Sequence, residues 1–339
     1  METDHELGGW AVGGLKPEGR ALLAPLSGVT DVAFRRIARR FGASLVVSEM
    51  VACDEYVRGE AEARLRAEGE GVEPHVVQLA GRDPVWVAEA ARLAEANGAA
   101  IVDLNMGCPA KRVTGGYAGS ALMRDLPLAG RLIEAAVKAV SVPVTVKMRL
   151  GWDHGSLNAA DLARLAESLG AKAVTVHGRT RQQFYKGAAD WTRIADVVRA
   201  VRIPVVANGD VGCAADARRA LAASGAAAVM VGRAAMGRPW LVGQIAASLD
   251  GRPVREPTPV LRAEAALEHY DGLLALFGRA VGVRHARKHL AAYADVALAE
   301  GFAVVSEDRR TLVTADDPAP VRAALARLWD RPGALRAAA

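Results

Sequence analysis

Cysteine is scarce in this 339-residue chain, which has three, at positions 53, 108 and 213. They are odd in number, far apart and free of any CxxC spacing, which excludes a disulfide framework and a cysteine-built metal centre. No metal is expected, and a reducing, cytoplasmic setting fits such thiols. Long apolar runs are missing as well. Hydrophobic residues make up 51% of the chain, but much of this is alanine, and no stretch approaches the roughly 18 unbroken apolar residues of a membrane span. The first twenty residues carry acids and no apolar core, so they do not read as a signal peptide; they read as a loose lead-in, residues 1–20, to the first strand. A strong charge imbalance is absent too. A net charge of +5 and a pI near 9.3 permit attraction to a polyanion without demanding one. Nothing implies a protein partner.

What is present is a regular alternation. Short β-branched runs lie at 21–28 (ALLAPLSG), 44–50 (SLVVSEM), 75–80 (HVVQLA), 100–107 (AIVDLNMG), 142–150 (VPVTVKMRL), 173–179 (AVTVHGR), 203–210 (IPVVANGD) and 227–234 (AAVMVGRA). Between them, amphipathic stretches such as VWVAEAARLAEANG and AADLARLAESLG close on Gly or on a Pro that begins the next strand. Eight strand–helix units predict an α/β fold, either a (β/α)8 TIM barrel or a long doubly wound sheet. Polar residues at the strands' carboxyl ends favour the barrel, whose chemistry collects on that face. The pattern stops near Gln244. A Pro-rich, charged stretch follows, and then three helical segments, LRAEAALEHYDGLLALFG, VGVRHARKHLAAYADV and PAPVRAALARLWD. The expected organisation is a barrel over 21–245, a linker over 246–255 and a small all-α helical domain over 256–335.

On a barrel, one face gathers Pro25 and Ser27, Glu49, Gln78, Asn105 and Cys108, then Lys147 and Arg149, His177, Asn208, Gly209 and Asp210, and Gly232 with Arg233. Lys147 is the sharpest signal, because a lysine inside the apolar run VTVKM points into the barrel and needs a partner. A side-chain amide can bond the pyrimidine edge of an isoalloxazine ring, and a lysine can support negative charge on its reduced form. The turns NGD and VGRA follow strands seven and eight, where barrels commonly hold a phosphate on backbone N–H groups. Residue type alone leaves Gln78 and His177 open to a structural role, and Glu49 and Asp103 unassigned.

Together these segments carry a resemblance. APLSGVTDVAFRR, SEM, VVQLAG, DLNMGCPAKRVTGGYAGSALMRD, VKMRLGWD, VTVHGRTRQQFYKGAADW, PVVANGDV and VMVGRAAMGRPW are similar to the tRNA-dihydrouridine synthases, in particular the bacterial B-type group once labelled nitrogen-regulation proteins. The likeness covers about residues 20–245 closely and the helical tail more loosely. It implies bound FMN, NADPH as reductant, and reduction of the C5–C6 bond of a uridine in the D-loop region of tRNA. It places Pro25, Leu26 and Ser27 against the flavin, Gln78 on its ring, and Lys147 and His177 near the ring or ribityl chain. Asn208, Gly209, Asp210, Gly232 and Arg233 take the ribityl and phosphate end. The family's usual APMAG is APLSG in this chain, which keeps the turn and implies altered packing rather than lost flavin.

Reducing a uracil ring takes a hydride at C6 and a proton at C5. The resemblance assigns the hydride to flavin N5 and the proton to Cys108, on the loop after strand four. A thiol suits an acid's task, since an ordinary pKa of about 8.5 leaves it mostly protonated at neutral pH. Lys111 and Arg112 follow closely, and cations beside a thiol lower its pKa; their expected place is against RNA phosphate. A uridine in folded tRNA must be unstacked to reach a barrel mouth. The candidates for RNA contact are Asn105, Lys111, Arg112, Arg149, Arg179 and Arg181 around the mouth, with Arg284, Arg287 and Lys288 at helical spacing in the tail. Residues 252–339 hold 13 basic and 11 acidic side chains, so the tail is not basic overall. Two other readings stay open. An FMN barrel acting on a small molecule, such as a dihydroorotate dehydrogenase, leaves the tail and basic loops without a use. A non-catalytic RNA-binding or regulatory protein is opposed by intact Cys108 and Lys147.

Overall fold

The computed structural model describes residues 10–330, without the side chain of Arg112. Eight parallel strands close on themselves: β1 (Ala21–Leu23), β2 (Leu45–Ala52), β3 (His75–Ala80), β4 (Ile101–Met106), β5 (Val144–Arg149), β6 (Ala173–His177), β7 (Val205–Asn208) and β8 (Ala228–Val231). Each pairs with the next, and β8 returns to β1 through Ala21 opposite Val229. All eight expected runs are strands, and the barrel is closed rather than an open sheet. The first run is trimmed to three residues, in keeping with Pro25, which has no N–H to give a ladder. β2 continues to Ala52 through a register shift between Val47 and Met50.

Helices flank the strands and start on polar caps: Asp83 accepts from the Val85 N–H at 2.8 Å just before Pro84, and Asp125 from the Leu128 N–H at 2.9 Å. Their inner faces are largely alanine, among them Ala90, Ala94, Ala163 and Ala166, packed on outward-pointing Val102, Leu104, Val146 and Met148. Alanine's abundance thus lets the helices lie close to the sheet.

Inward positions divide by height along the barrel. Leu22, Leu45, Val47, Val76, Ile101, Ala173 and Val206 fill the amino-terminal end, and Trp10 and Val12 join them, 8% and 2% exposed. Trp10 Nε1 donates to the Gly19 carbonyl at 2.9 Å, and Val12 and Leu15 exchange backbone bonds. From residue 10 onward, the segment expected to be a loose lead-in is a plug for the bottom of the barrel; residues 1–9 lie outside the described residues.

A helix over Leu241–Leu249 runs through the expected boundary between barrel and linker. The run Pro259–Ala299 breaks at Gly278, whose φ of 72° and ψ of 164° are not helical, so two helices meet there as the sequence implied. A helix over Ser306–Thr314, not anticipated, buries only Leu312 and shows no apolar stripe. The last described helix is Pro318–Arg327; residues 331–335 of the expected domain lie outside the described residues. The tail packs on the barrel through Ile37, Trp240, Tyr270, Tyr293 and Trp329. Among the described residues, no helix is long and apolar enough to cross a membrane.

Candidate active site

The carboxyl ends of the strands open into a cavity of about 1140 Å³, lined by Pro25, Leu26, Ser27, Gln78, Asn105, Cys108, Lys147, His177, Asn208, Gly209, Asp210, Gly232 and Arg233. A single small-molecule site takes roughly 300–1000 Å³, so there is room for more than one occupant. β-Strand alternation sets the lining: Asp103 and Asn105 on β4, and Thr145, Lys147 and Arg149 on β5, all point inward. A polar relay crosses the floor. Asp103 accepts from Thr145 Oγ1 at 2.6 Å and from Gln78 Nε2 at 2.7 Å; Gln78 Oε1 accepts from Asn105 Nδ2 at 2.7 Å. Asn105 Oδ1 then takes the backbone N–H groups of Gly107 at 3.2 Å and Cys108 at 2.9 Å. The Asp103 carboxylate fixes which end of the Gln78 amide faces it, and Gln78 keeps one N–H and one lone pair for a ligand. Burial pushes the Asp103 carboxyl up, against its hydrogen bonds and Lys147.

Lys147 Nζ donates to Asn208 Oδ1 at 3.0 Å, and Asn208 Nδ2 donates to the Met230 carbonyl at 2.8 Å. Burial, then Arg149, pushes Lys147 down to about 8. His177 is held well below the usual histidine range by burial and by Lys147, Arg149, Arg179 and Arg233, so the ring is neutral. Its Nε2 lies 3.4 Å from Arg179 Nη1; a guanidinium can only donate, which leaves the His177 proton on Nδ1. Asp210 sits at a φ of 55°. Its carboxylate accepts from both Arg179 terminal nitrogens, at 2.9 and 2.7 Å, and from the Ala189 N–H at 2.7 Å. It offers the cavity its backbone rather than a free charge. A Cβ on Gly209 would stand 2.8 Å from both His177 and Ala189, so only glycine fits this turn.

Cys108 is half-buried, and its loop folds back on itself: Ser120 donates to the Cys108 carbonyl through N–H at 3.0 Å and through Oγ at 2.8 Å. Gly119, at φ 60°, lies so close that a Cβ would meet that carbonyl at 2.9 Å. The run GGYAGS therefore clamps the thiol's loop. Lys147 and Arg149 lie near enough to respond to charge at Cys108; Lys111 is exposed at the start of the short helix Lys111–Thr114, and the Arg112 side chain is outside the described residues.

Several residues expected to grip RNA are spent on the protein. Asn105 orients the Cys108 loop. Arg149, 2% exposed, donates to the carbonyls of Gly107, Thr180 and Phe184 at 2.8, 2.8 and 2.9 Å. Arg179, also 2% exposed, pairs with Asp210 and donates to the Lys186 and Gly187 carbonyls. Arg181 lies 4.7 Å over the Trp152 ring, and Arg287 pairs with Asp316 at 2.8 Å. Arg284 is exposed, and Lys288 reaches over Gly28 on the loop after β1, where a Cβ would sit 3.0 Å from its Nζ. Glu49, unassigned from sequence, accepts the Gly28 N–H. Phe184 and Tyr185 are among the lining residues that the sequence did not flag: both stand exposed at the mouth, with Arg149 and Arg233 at 5.6 and 4.8 Å from the Tyr185 ring. The signal for them was an aromatic pair inside the polar loop RTRQQFYKG.

Residues 22–323 match the family described as dihydrouridine synthase. A probable tRNA-dihydrouridine synthase of Rhizobium leguminosarum bv. phaseoli is 52% identical over 313 residues, 92% of this chain and 95% of that relative. One from Rhodobacter capsulatus is 55% identical over 282 residues, 82% of this chain and 87% of the relative. The tRNA-dihydrouridine synthase B of Xanthomonas axonopodis pv. citri is 46% identical over 277 residues, 81% of this chain and 83% of the relative. Among solved structures, the old yellow enzyme homologue from Zymomonas mobilis aligns with a TM-score of 0.54 at 15% identity, over 74% of this chain and 94% of that one. Histamine dehydrogenase from Rhizobium sp. 4-9 aligns at 0.55 and 14% identity, over 79% of this chain and 51% of that one. At such identities the structural likeness speaks for the fold alone.

Proposed function

The chain belongs to the dihydrouridine synthase family, and on that premise we propose that it reduces a uridine in the D-loop region of cytoplasmic tRNA, with FMN as cofactor and NADPH as reductant. The observation that carries this reading is the Thr145–Asp103–Gln78–Asn105–Cys108 relay, which fixes a thiol's loop at the rim of a cavity large enough for a cofactor and a base. The donor set fits FMN. Lys147 is a half-buried cation whose hydrogen-bond acceptor is a neutral amide, so a ring that becomes anionic on reduction would complete it. Gln78 keeps spare capacity for a pyrimidine edge. A Cβ on Gly232 would meet nothing closer than 4.0 Å, which leaves its backbone open beside Gly209 and Arg233 for a phosphate end.

FMN held there by these residues would supply the hydride for C6 of the uracil ring. The Cys108 Sγ–H delivers the proton to C5, and Asn105 and Ser120 keep it in place. Neutral His177 offers a proton from Nδ1 as a hydrogen-bond donor. Arg284 and Lys288 meet the RNA backbone from the tail, and Phe184 and Tyr185 give an unstacked base an aromatic wall. The test incubates the purified chain with FMN, NADPH and an unmodified tRNA transcript and counts dihydrouridine by nucleoside mass spectrometry. Cys108→Ala should lower turnover by about 10²- to 10⁴-fold while NADPH still bleaches the flavin. A wild-type protein that makes no dihydrouridine would end this reading; loss of flavin from the variant would return Cys108 to a structural role.

A further inference from the structure

Where the loop after β1 meets the tail, three side chains outside the cavity converge. Asp31 caps the helix Val32–Arg40, and His269 and His289 lie on the two halves of the run Pro259–Ala299, either side of the break at Gly278. They are 4%, 0% and 1% exposed. One carboxylate oxygen and one nitrogen from each imidazole lie within 4.8 Å of one another. We propose that Asp31, His269 and His289 bind a single divalent ion of the zinc class, which staples the two tail helices to the loop carrying Pro25, Leu26 and Ser27.

The geometry around these groups is that of ligands already aimed. Asp31 Oδ2 and His269 Nε2 are 3.2 Å apart, close to the spacing of two ligands on a tetrahedral ion with bonds of about 2.0–2.1 Å. Each also has an outer partner of the kind that orients metal ligands. His269 Nδ1 is 3.2 Å from the Tyr293 hydroxyl, and Asp31 Oδ1 accepts the Phe34 N–H at 3.0 Å. His289 is the telling member: it is buried, the Gly28 backbone meets its ring, and at least one ring nitrogen is left without a hydrogen-bond partner among the described residues, a state that buried polar groups rarely keep. Its ring meets that of His269 edge-on, with centroids 4.5 Å apart, and Phe34 walls both. Two imidazoles and one carboxylate suit zinc rather than calcium or magnesium, which prefer oxygen throughout. Three protein ligands leave a fourth position for water or a backbone carbonyl. The site joins segments more than two hundred residues apart in sequence, so its ion would act on the attachment of the tail and not on hydride or proton transfer.

The experiment measures zinc in the full-length protein by plasma mass spectrometry, then strips it with a chelator and titrates Zn²⁺ alone. We expect one zinc per chain, and a rise in melting temperature when Zn²⁺ returns to the stripped protein. Both should vanish in His289→Ala, and in His289→Gln should the smaller side chain not fold. Anomalous scattering at the zinc edge gives an answer without any variant: an ion between the three side chains supports the site. No zinc uptake by the wild-type protein, an ion located elsewhere, or unchanged stoichiometry in a folded variant overturns it.

Discussion

Lys147 holds a charge where the barrel makes charge expensive, and its protonation is a readable property of that one residue. Its folded pKa, about 8, lies below the ordinary 10.5, so between these values the unfolded chain binds more protons than the native one. Native stability therefore rises with pH across that window. Lys147→Met removes the penalty. In the flavin-free protein, the variant should be the more stable below pH 8, by at most about 3 kcal/mol, less for the part of the side chain that the cavity leaves wet. The gap should close as the pH approaches 10.5. Urea unfolding at a series of pH values checks this, and a gap independent of pH would be evidence against a depressed lysine. Lys147 and Cys108 could be singled out in the sequence because their neighbours betray them, an apolar run in one case and NMGCP in the other. Arg149 and Arg179 could not. An arginine at a strand end or on a loop reads the same whether it meets RNA phosphate or the protein's own carbonyls, and only the fold brings Gly107, Thr180 and Phe184 to one guanidinium.

At the scale of elements, Arg149 ties the loops after β4 and β6 to the end of β5. Arg149→Ala should leave three carbonyls without their donor, cost about 2–4 kcal/mol, and lower both the melting temperature and flavin retention. Arg284→Ala should behave differently. An exposed arginine removed from a helix surface changes stability by about 0.5 kcal/mol or less, while the KM for tRNA rises and its salt dependence weakens. Measuring melting curves beside steady-state kinetics for the two variants separates structural from RNA-facing arginines; equal melting curves would contradict that division of roles. The strands were legible because β-branched runs and terminal polar residues mark them. The helix Ser306–Thr314 was not, because it buries one leucine and its apolar signal is nearly nil. The plug at residues 10–15 was missed for a related reason: two scattered apolar side chains carry no period, and only the closed barrel supplies the hole that they fill.

For the whole molecule, that plug is a stability element far from the chemistry. Trp10→Ala should cost about 3–5 kcal/mol, the usual range for removing a buried tryptophan, with no change in the KM for tRNA, since the cavity opens at the opposite end. Thermal unfolding and kinetics on the same preparation test both halves, and an unaffected melting temperature would show the plug to be dispensable. The closure that creates the hole has a further consequence, in time rather than space. β1 leaves the ribosome early, but one of its two partners, β8, is made roughly two hundred residues later. At about 5–20 residues per second that is a wait on the order of 10–40 s, during which β1 keeps a bare edge and Trp10 lacks some of its walls. A strand of three residues offers little template to a passing chain. The shortness of β1 is thus suited to the interval between synthesis and closure, when the nascent barrel is most open to mispairing.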